Sequence, residues 1–111
     1  MKELIIDDAK IFITINGKDF SFTADSEFAE KLSLLASEAE KLADEGASLT
    51  DASAFFSYAV DLLIGDGAVE RLFDKDLPDP LDLCDVLGYI SDAFHSYRRN
   101  RIKRIEEGYE W

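Results

Sequence analysis

The segment Phe55–Ile64 constrains the fold most strongly, because it has almost no polar side. Among its ten residues only Ser57 and Asp61 are frankly polar. A helix that is apolar on nearly every side has to be covered on nearly every side by other elements. The segment therefore predicts a central helix with the rest of the chain packed around it. Gly65-Asp66-Gly67 then predicts a helix break, followed by a short helix from about residue 68 to 73.

Residues 10–24 predict a β-hairpin. Asn16-Gly17 is the dipeptide preferred in a two-residue type I′ turn, and such a turn fixes the register of the two strands. The register places two pairs on one apolar face, which are Ile11 with Phe22 and Ile13 with Phe20. A two-stranded hairpin is marginal alone, so we expect this face to pack on helices. Leu4-Ile5-Ile6 would supply a third strand.

Two further helices each carry one apolar seam with 4-3-4-3 spacing. The first covers about residues 26–45, is capped by Asp25 or Ser26, and has the seam Phe28, Leu32, Leu35, Ala39 and Leu42. The last begins at Asp79-Pro80, and its seam is Leu83, Leu87, Ile90, Phe94 and Tyr97. Ser48 is the predicted cap of the central helix.

These elements predict an α+β protein in which an N-terminal β-hairpin packs on a bundle of three longer helices plus one short helix. The sequence leaves open whether a third strand is present. A chain of 111 residues is long enough for one domain. We assign residues 1–97 to a single α+β domain and residues 98–111 to a basic and aromatic C-terminal helix extension or tail.

Charge and composition exclude several classes of function. The net charge is −12, which opposes direct binding to nucleic acid or to anionic membranes. No apolar run approaches the length of a membrane span, and Leu4-Ile5-Ile6 is too short for the core of a signal peptide. The single Cys84 fits a reducing compartment. We therefore expect a soluble cytoplasmic protein.

No residue pattern indicates catalysis. Cys84 and His95 would be about 16 Å apart along one continuous helix, too far for a catalytic dyad. The acidic residues from Asp74 to Asp85 depart from the EF-hand pattern, because Pro78 falls at position five and Asp79 where glycine is required. Gly65-Asp66-Gly67 matches no phosphate-binding pattern. We expect no enzyme, no metal site and no cofactor.

The C-terminal segment is the predicted partner-binding site. Five cations lie within residues 98–104, in a chain that is otherwise acidic. Arginine and aromatic residues are common interface anchors, and Ile102, Ile105 and Tyr109 are spaced to share one helix face. The segment would bind as a helix in the groove of a partner. The alternative is that it is a solvated tail. Its candidate residues are Tyr97, Arg98, Arg99, Arg101, Ile102, Arg104, Ile105, Tyr109 and Trp111.

The order of these features resembles a family of small acidic proteins from tailed phages and prophages of Gram-positive hosts, which are similar to tail-assembly chaperones. The sequence departs from the pattern of that family at two places. One is Ile64, where an aromatic residue is expected, and the other is the loop Leu77-Pro78-Asp79-Pro80. The resemblance rests on Ile15-Asn16-Gly17-Lys18, Phe55-Phe56, Gly65-Asp66-Gly67, Leu72-Phe73, Cys84, Arg98-Arg99 and Arg101.

The resemblance implies a non-enzymatic tail-assembly chaperone in the host bacterial cytoplasm. Its expected partner is the tape-measure protein or the tail-tube protein. Two alternatives remain open at this point, a structural subunit of the tail or head-tail joint and an acidic inhibitor that mimics nucleic acid. The sequence also leaves open whether the protein forms a homo-oligomer.

Overall fold

A computed structural model of the protein describes residues 9–73 and 78–106, with side chains of the last helix described through residue 103. The elements are β1 (Lys10–Ile15), β2 (Lys18–Thr23), α1 (Ser26–Asp44), α2 (Leu49–Ile64), α3 (Ala68–Leu72) and α4 (Pro80–Glu106). The predicted α+β class, with a hairpin packed on helices, is confirmed. The predicted third strand lies outside the described residues.

The hairpin has the predicted turn and register. Asn16 and Gly17 have φ angles of 52° and 74°, as a type I′ turn requires. Ile13 lies opposite Phe20 and Ile11 lies opposite Phe22. Ile13, Phe20 and Phe22 are buried, so this face of the hairpin packs on the helices. Phe12 lies on the other face and is 75% exposed.

Local caps set the helix ends. The Asp25 carboxylate accepts a hydrogen bond from the Phe28 amide at 2.9 Å and begins α1. The Ser48 hydroxyl accepts one from the Asp51 amide at 3.1 Å and begins α2. Each bond satisfies a backbone donor that the first helical turn leaves without a partner. Both caps were predicted, and α2 also ends at the predicted residue, Ile64.

Two side chains of α2 hold neighbouring segments in place. The Asp61 carboxylate accepts a hydrogen bond from the Val69 amide at 3.0 Å, which holds α3 against the end of α2. The Ser53 hydroxyl donates to the Pro78 carbonyl at 2.8 Å, just before α4 begins. These bonds place both α3 and the start of α4 relative to the central helix.

The core lies between α2, α4 and the hairpin. Val60 of α2 and Leu83 and Ile90 of α4 are completely buried. Phe28 of α1 joins this core through two ring contacts. Its ring centroid lies 4.5 Å from that of Phe22 and 5.1 Å from that of Phe94. These contacts connect the hairpin, α1 and α4 at one end of the bundle.

The prediction that α2 is covered on nearly every side is wrong for one side. Phe55 and Phe56 are only partly buried on the side that faces α1 and α4. The molecule is also elongated, with a radius of gyration of 16.7 Å and extents of 58 × 32 × 18 Å. A compact domain of this size would have a radius of gyration of about 13 Å. The helices therefore leave part of α2 uncovered.

Candidate protein-binding groove

The uncovered side of α2 forms the floor of an open groove of about 520 Å³. One wall is α1 and the other is α4. The half-buried rings of Phe55 and Phe56 are the largest side chains of the floor. The lining is predominantly apolar, with Ala29, Leu32, Leu35, Ala36 and Ala39 from α1, Ala59 and Leu63 from α2, and Leu87 and Phe94 from α4.

Small residues on both walls explain why the groove is open. Ala29, Ser33 and Ala36 line it on α1, and Gly88 and Ser91 line it on α4. Packed helices lie about 8–10 Å apart, and side chains have to fill the space between them. Side chains this short cannot reach across the gap, so α1 buries only Phe28 and Leu35. The apolar floor remains accessible from outside.

Helical spacing places one acidic residue beside the groove lining on each wall, and these two positions are called the rims of the groove. Glu40 follows Ala36 by one helical turn on α1, and Asp92 follows Gly88 by one turn on α4. Both residues are exposed. The surface of α1 adds further acids, of which Glu27 lies 3.9 Å from Lys31 in an exposed pair that contributes little. An apolar floor between acidic rims fits a ligand whose apolar stripe is flanked by lysine or arginine.

The predicted C-terminal site divides into two parts. α4 continues without interruption through residue 97 to Glu106. Arg98 belongs to the body of the protein, because its guanidinium lies 5.7 Å from the Phe94 ring centroid and donates to the Ala24 carbonyl at 3.4 Å. Arg99 and Ile102 are exposed, whereas Tyr97 and Arg101 are partly buried.

The remaining candidate residues of this segment have no described side chains. The side chains of Arg104 and Ile105 lie outside the described part of α4, and Tyr109 and Trp111 lie outside the described residues altogether. The shared face predicted for Ile102, Ile105 and Tyr109 therefore stays a prediction. So does the division of the chain at residue 97.

The groove itself was missed by the sequence analysis. The helical spacing indicates which side of α1 and α4 turns inward, and it predicts that the residues on that side fill the interior. The available signal was the series of small residues beside each seam, such as Ala36 on α1 and Gly88 on α4. Facing pairs of small residues predict space between helices, but the pairing requires knowledge of which helices are neighbours.

Cys84 is exposed, but its thiol is not activated as a nucleophile. Partial burial, together with the negative charge of Asp85, raises the pKa of Cys84. A raised pKa disfavours the nucleophilic thiolate. Within residues 9–73 and 78–106 no cluster of His, Cys, Asp or Glu side chains could hold a metal ion. No helix in the same part of the chain is long and apolar enough to cross a membrane.

Comparison of the chain with protein-family models, curated proteins and solved structures yields no match. The phage-family resemblance therefore rests on the motif residues alone, and the groove is interpreted from its own geometry.

Proposed function

We propose that this protein is a non-enzymatic phage or prophage tail-assembly chaperone that binds the tape-measure protein in the host bacterial cytoplasm. The observation that carries the proposal is the open apolar groove between α1, α2 and α4. The resemblance of the sequence motifs to tail-assembly chaperones directs the choice of partner.

The groove has the apolar lining that an amphipathic helix requires. Helix-in-groove recognition uses apolar anchors at positions i, i+3, i+4 and i+7 of the bound helix. The tape-measure proteins of this family are long and largely helical, so they can present such stripes. Phe55 and Phe56 would contact the stripe from the floor, while Leu32 and Leu87 would contact it from the two walls. Covering the stripe would prevent aggregation of the tape-measure protein before the tube assembles around it.

The charge of the protein suits the same role. A net charge of −12 would keep a complex with an apolar client soluble. Glu40 and Asp92 on the rims would favour client helices with basic flanks and disfavour acidic ones. The proposed interaction is therefore selective by charge as well as by apolar contact.

The exposed end of α4 extends the groove surface. Ile102 follows His95, which lines the groove, by seven positions and so lies two turns further along nearly the same face. Arg99 and Ile102 would contact a client helix that is longer than the groove. This role retains part of the C-terminal segment as a partner-binding site.

Co-expression with the tape-measure protein encoded in the same gene cluster tests the proposal. We expect the wild-type protein to keep the tape-measure protein soluble and to co-purify with it. The double substitution Phe55→Ser and Phe56→Ser removes the two largest floor contacts and should lower recovery at least about 10-fold, since buried aromatic anchors dominate such interfaces.

Phe12→Ser is the matched control, because Phe12 is equally large, highly exposed and outside the groove. It should recover as much tape-measure protein as the wild type does. Circular dichroism would establish that each variant is folded. The proposal is wrong if the wild type recovers none, or if folded floor and control variants recover equal amounts.

A further inference from the structure

We propose that α4 also forms an antiparallel homodimer through a second, exposed line of residues. This line, the α4 seam, consists of the positions spaced 4-3-4-3-4-3 from Leu81 to Ile102. Its two ends are large apolar side chains in contact with water, since Leu81 is 73% exposed and Ile102 is 55% exposed. The proposal concerns two copies of this chain without any client, so it does not depend on the proposed function.

The spacing of the seam is that of a helix-pairing surface. A repeat of 3.5 residues keeps one line of side chains against a partner helix over many turns. The seam lies on the side of α4 away from the buried Leu83 and Ile90, and every position on it is exposed. α4 has 27 residues, which gives about 40 Å of helix. A long contact along this side is therefore geometrically available.

Charge selects the antiparallel orientation. Asp85 lies near one end of the seam and Arg99 near the other. Neither residue makes an ion pair with another described residue. In an antiparallel pair centred close to position 92, Asp85 lies beside Arg99 of the partner subunit, and this pairing occurs twice. A parallel pair would instead place equal charges together.

The same register also brings together the apolar ends of the two helices and complementary residues near their centres. Leu81 lies beside Ile102 of the partner subunit, so each end buries its exposed side chain. Gly88 lies beside the partner's His95. A Cβ atom added at Gly88 would meet no other atom within 4 Å, so there is room for an imidazole ring above the helix backbone. Antiparallel helix dipoles add a favourable contribution.

One contact in this register opposes association. Asp92 falls at the twofold axis and faces Asp92 of the partner subunit, which places two carboxylates together. We therefore expect a weak, reversible dimer. Gly88 and His95 belong to both the seam and the groove, so the dimer would partly cover the groove and compete with a client.

Charge reversal tests the register, with sedimentation velocity as the measurement. Asp85→Arg alone and Arg99→Asp alone each bring two pairs of equal charges together, and each should raise the dimer dissociation constant about 10- to 30-fold. An equimolar mixture of the two variants restores both opposite-charge pairs in a heterodimer. Its dissociation constant should return to within about threefold of the wild-type value.

Matched controls carry the same charge changes on the same helix away from the seam. Asp82→Arg and Arg101→Asp should associate like the wild type, apart from a small effect of net charge. Asp92→Asn removes the repulsion at the twofold axis and should tighten the dimer about 3- to 10-fold.

Three results would overturn the proposal. The wild type sediments as a monomer at every concentration up to about 1 mM, or the mixture associates no better than the separate variants, or Asp92→Asn gives no tightening. The substituted positions are exposed except Arg101, which is partly buried, and a thermal melt of each variant would show that it is folded.

Discussion

The core-facing seam of α4 and the seam of α1 have the same 4-3-4-3 spacing, yet they lie in different surroundings. On α4, Leu83 and Ile90 are completely buried against α2. On α1, Phe28 and Leu35 are buried, whereas Leu32 is only half-buried beside the groove. The side of α4 that packs on α2 at Leu83 and Ile90 is closed. The groove side, lined by Leu32 of α1 and Leu87 of α4, is open.

Helical spacing and residue size therefore control different properties of a helix. Spacing determines which side of a helix turns inward. The size of the residues beside the seam determines whether the neighbouring helix can close over it. Ala29, Ser33 and Ala36 lie beside the α1 seam, and the groove opens there. A protein can therefore expose an apolar binding surface without losing its core.

The greatest loss of stability is expected from a substitution on the closed side. Ile90→Ala removes a completely buried side chain, so it should lower the free energy of unfolding by about 2–5 kcal/mol through lost burial and the resulting cavity. Leu32→Ala on the open side is the comparison. Because Leu32 is half-buried beside a groove that water already enters, its loss should cost about 1 kcal/mol. Urea denaturation of both variants measures the two costs.

These measurements should be made at low protein concentration, because association would add to apparent stability. If Leu32→Ala costs as much as Ile90→Ala, then α1 closes over the groove in solution and the comparison between the two sides fails.

A smaller change in the free energy of unfolding is expected on the open side. Gly88 is an exposed helical residue, and an added Cβ atom would meet no neighbour within 4 Å. Gly88→Ala should therefore raise the free energy of unfolding of the monomer by about 0.5–1 kcal/mol, because alanine loses less backbone entropy in a helix. A lower stability in urea would mean that this position of α4 is packed against another element.

The smallest effect concerns the reactivity of Cys84. Because its pKa is raised by partial burial and by Asp85, less of it is thiolate at pH 8 than in the unfolded chain. Alkylation by iodoacetamide should be slower in the native protein and should accelerate as the pH rises further. Asp85→Asn should increase the native rate about twofold by removing the nearby negative charge. Equal rates in the native and unfolded chains would contradict the shift.

Local features were predictable from the sequence because their causes are local. Asn16-Gly17 determined the hairpin register, Ser48 determined the start of α2, and the glycine break determined its end. The groove depends on which small residues face each other across two helices, and no single segment contains that information. The partial exposure of Phe55 and Phe56 follows from the groove. The prediction that the central helix is covered on nearly every side therefore fails at these two rings.

The most direct test of the groove is a methyl-labelled NMR titration of the protein with a helical peptide from the tape-measure protein, chosen for its apolar stripe and basic flanks. We predict that the resonances of Leu32, Leu35, Leu63 and Leu87 shift together and saturate, while those of Ile13 in the hairpin do not change. If the peptide binds and shifts resonances of the hairpin or the outer surface of α1 without affecting these four leucines, the groove is not the binding site.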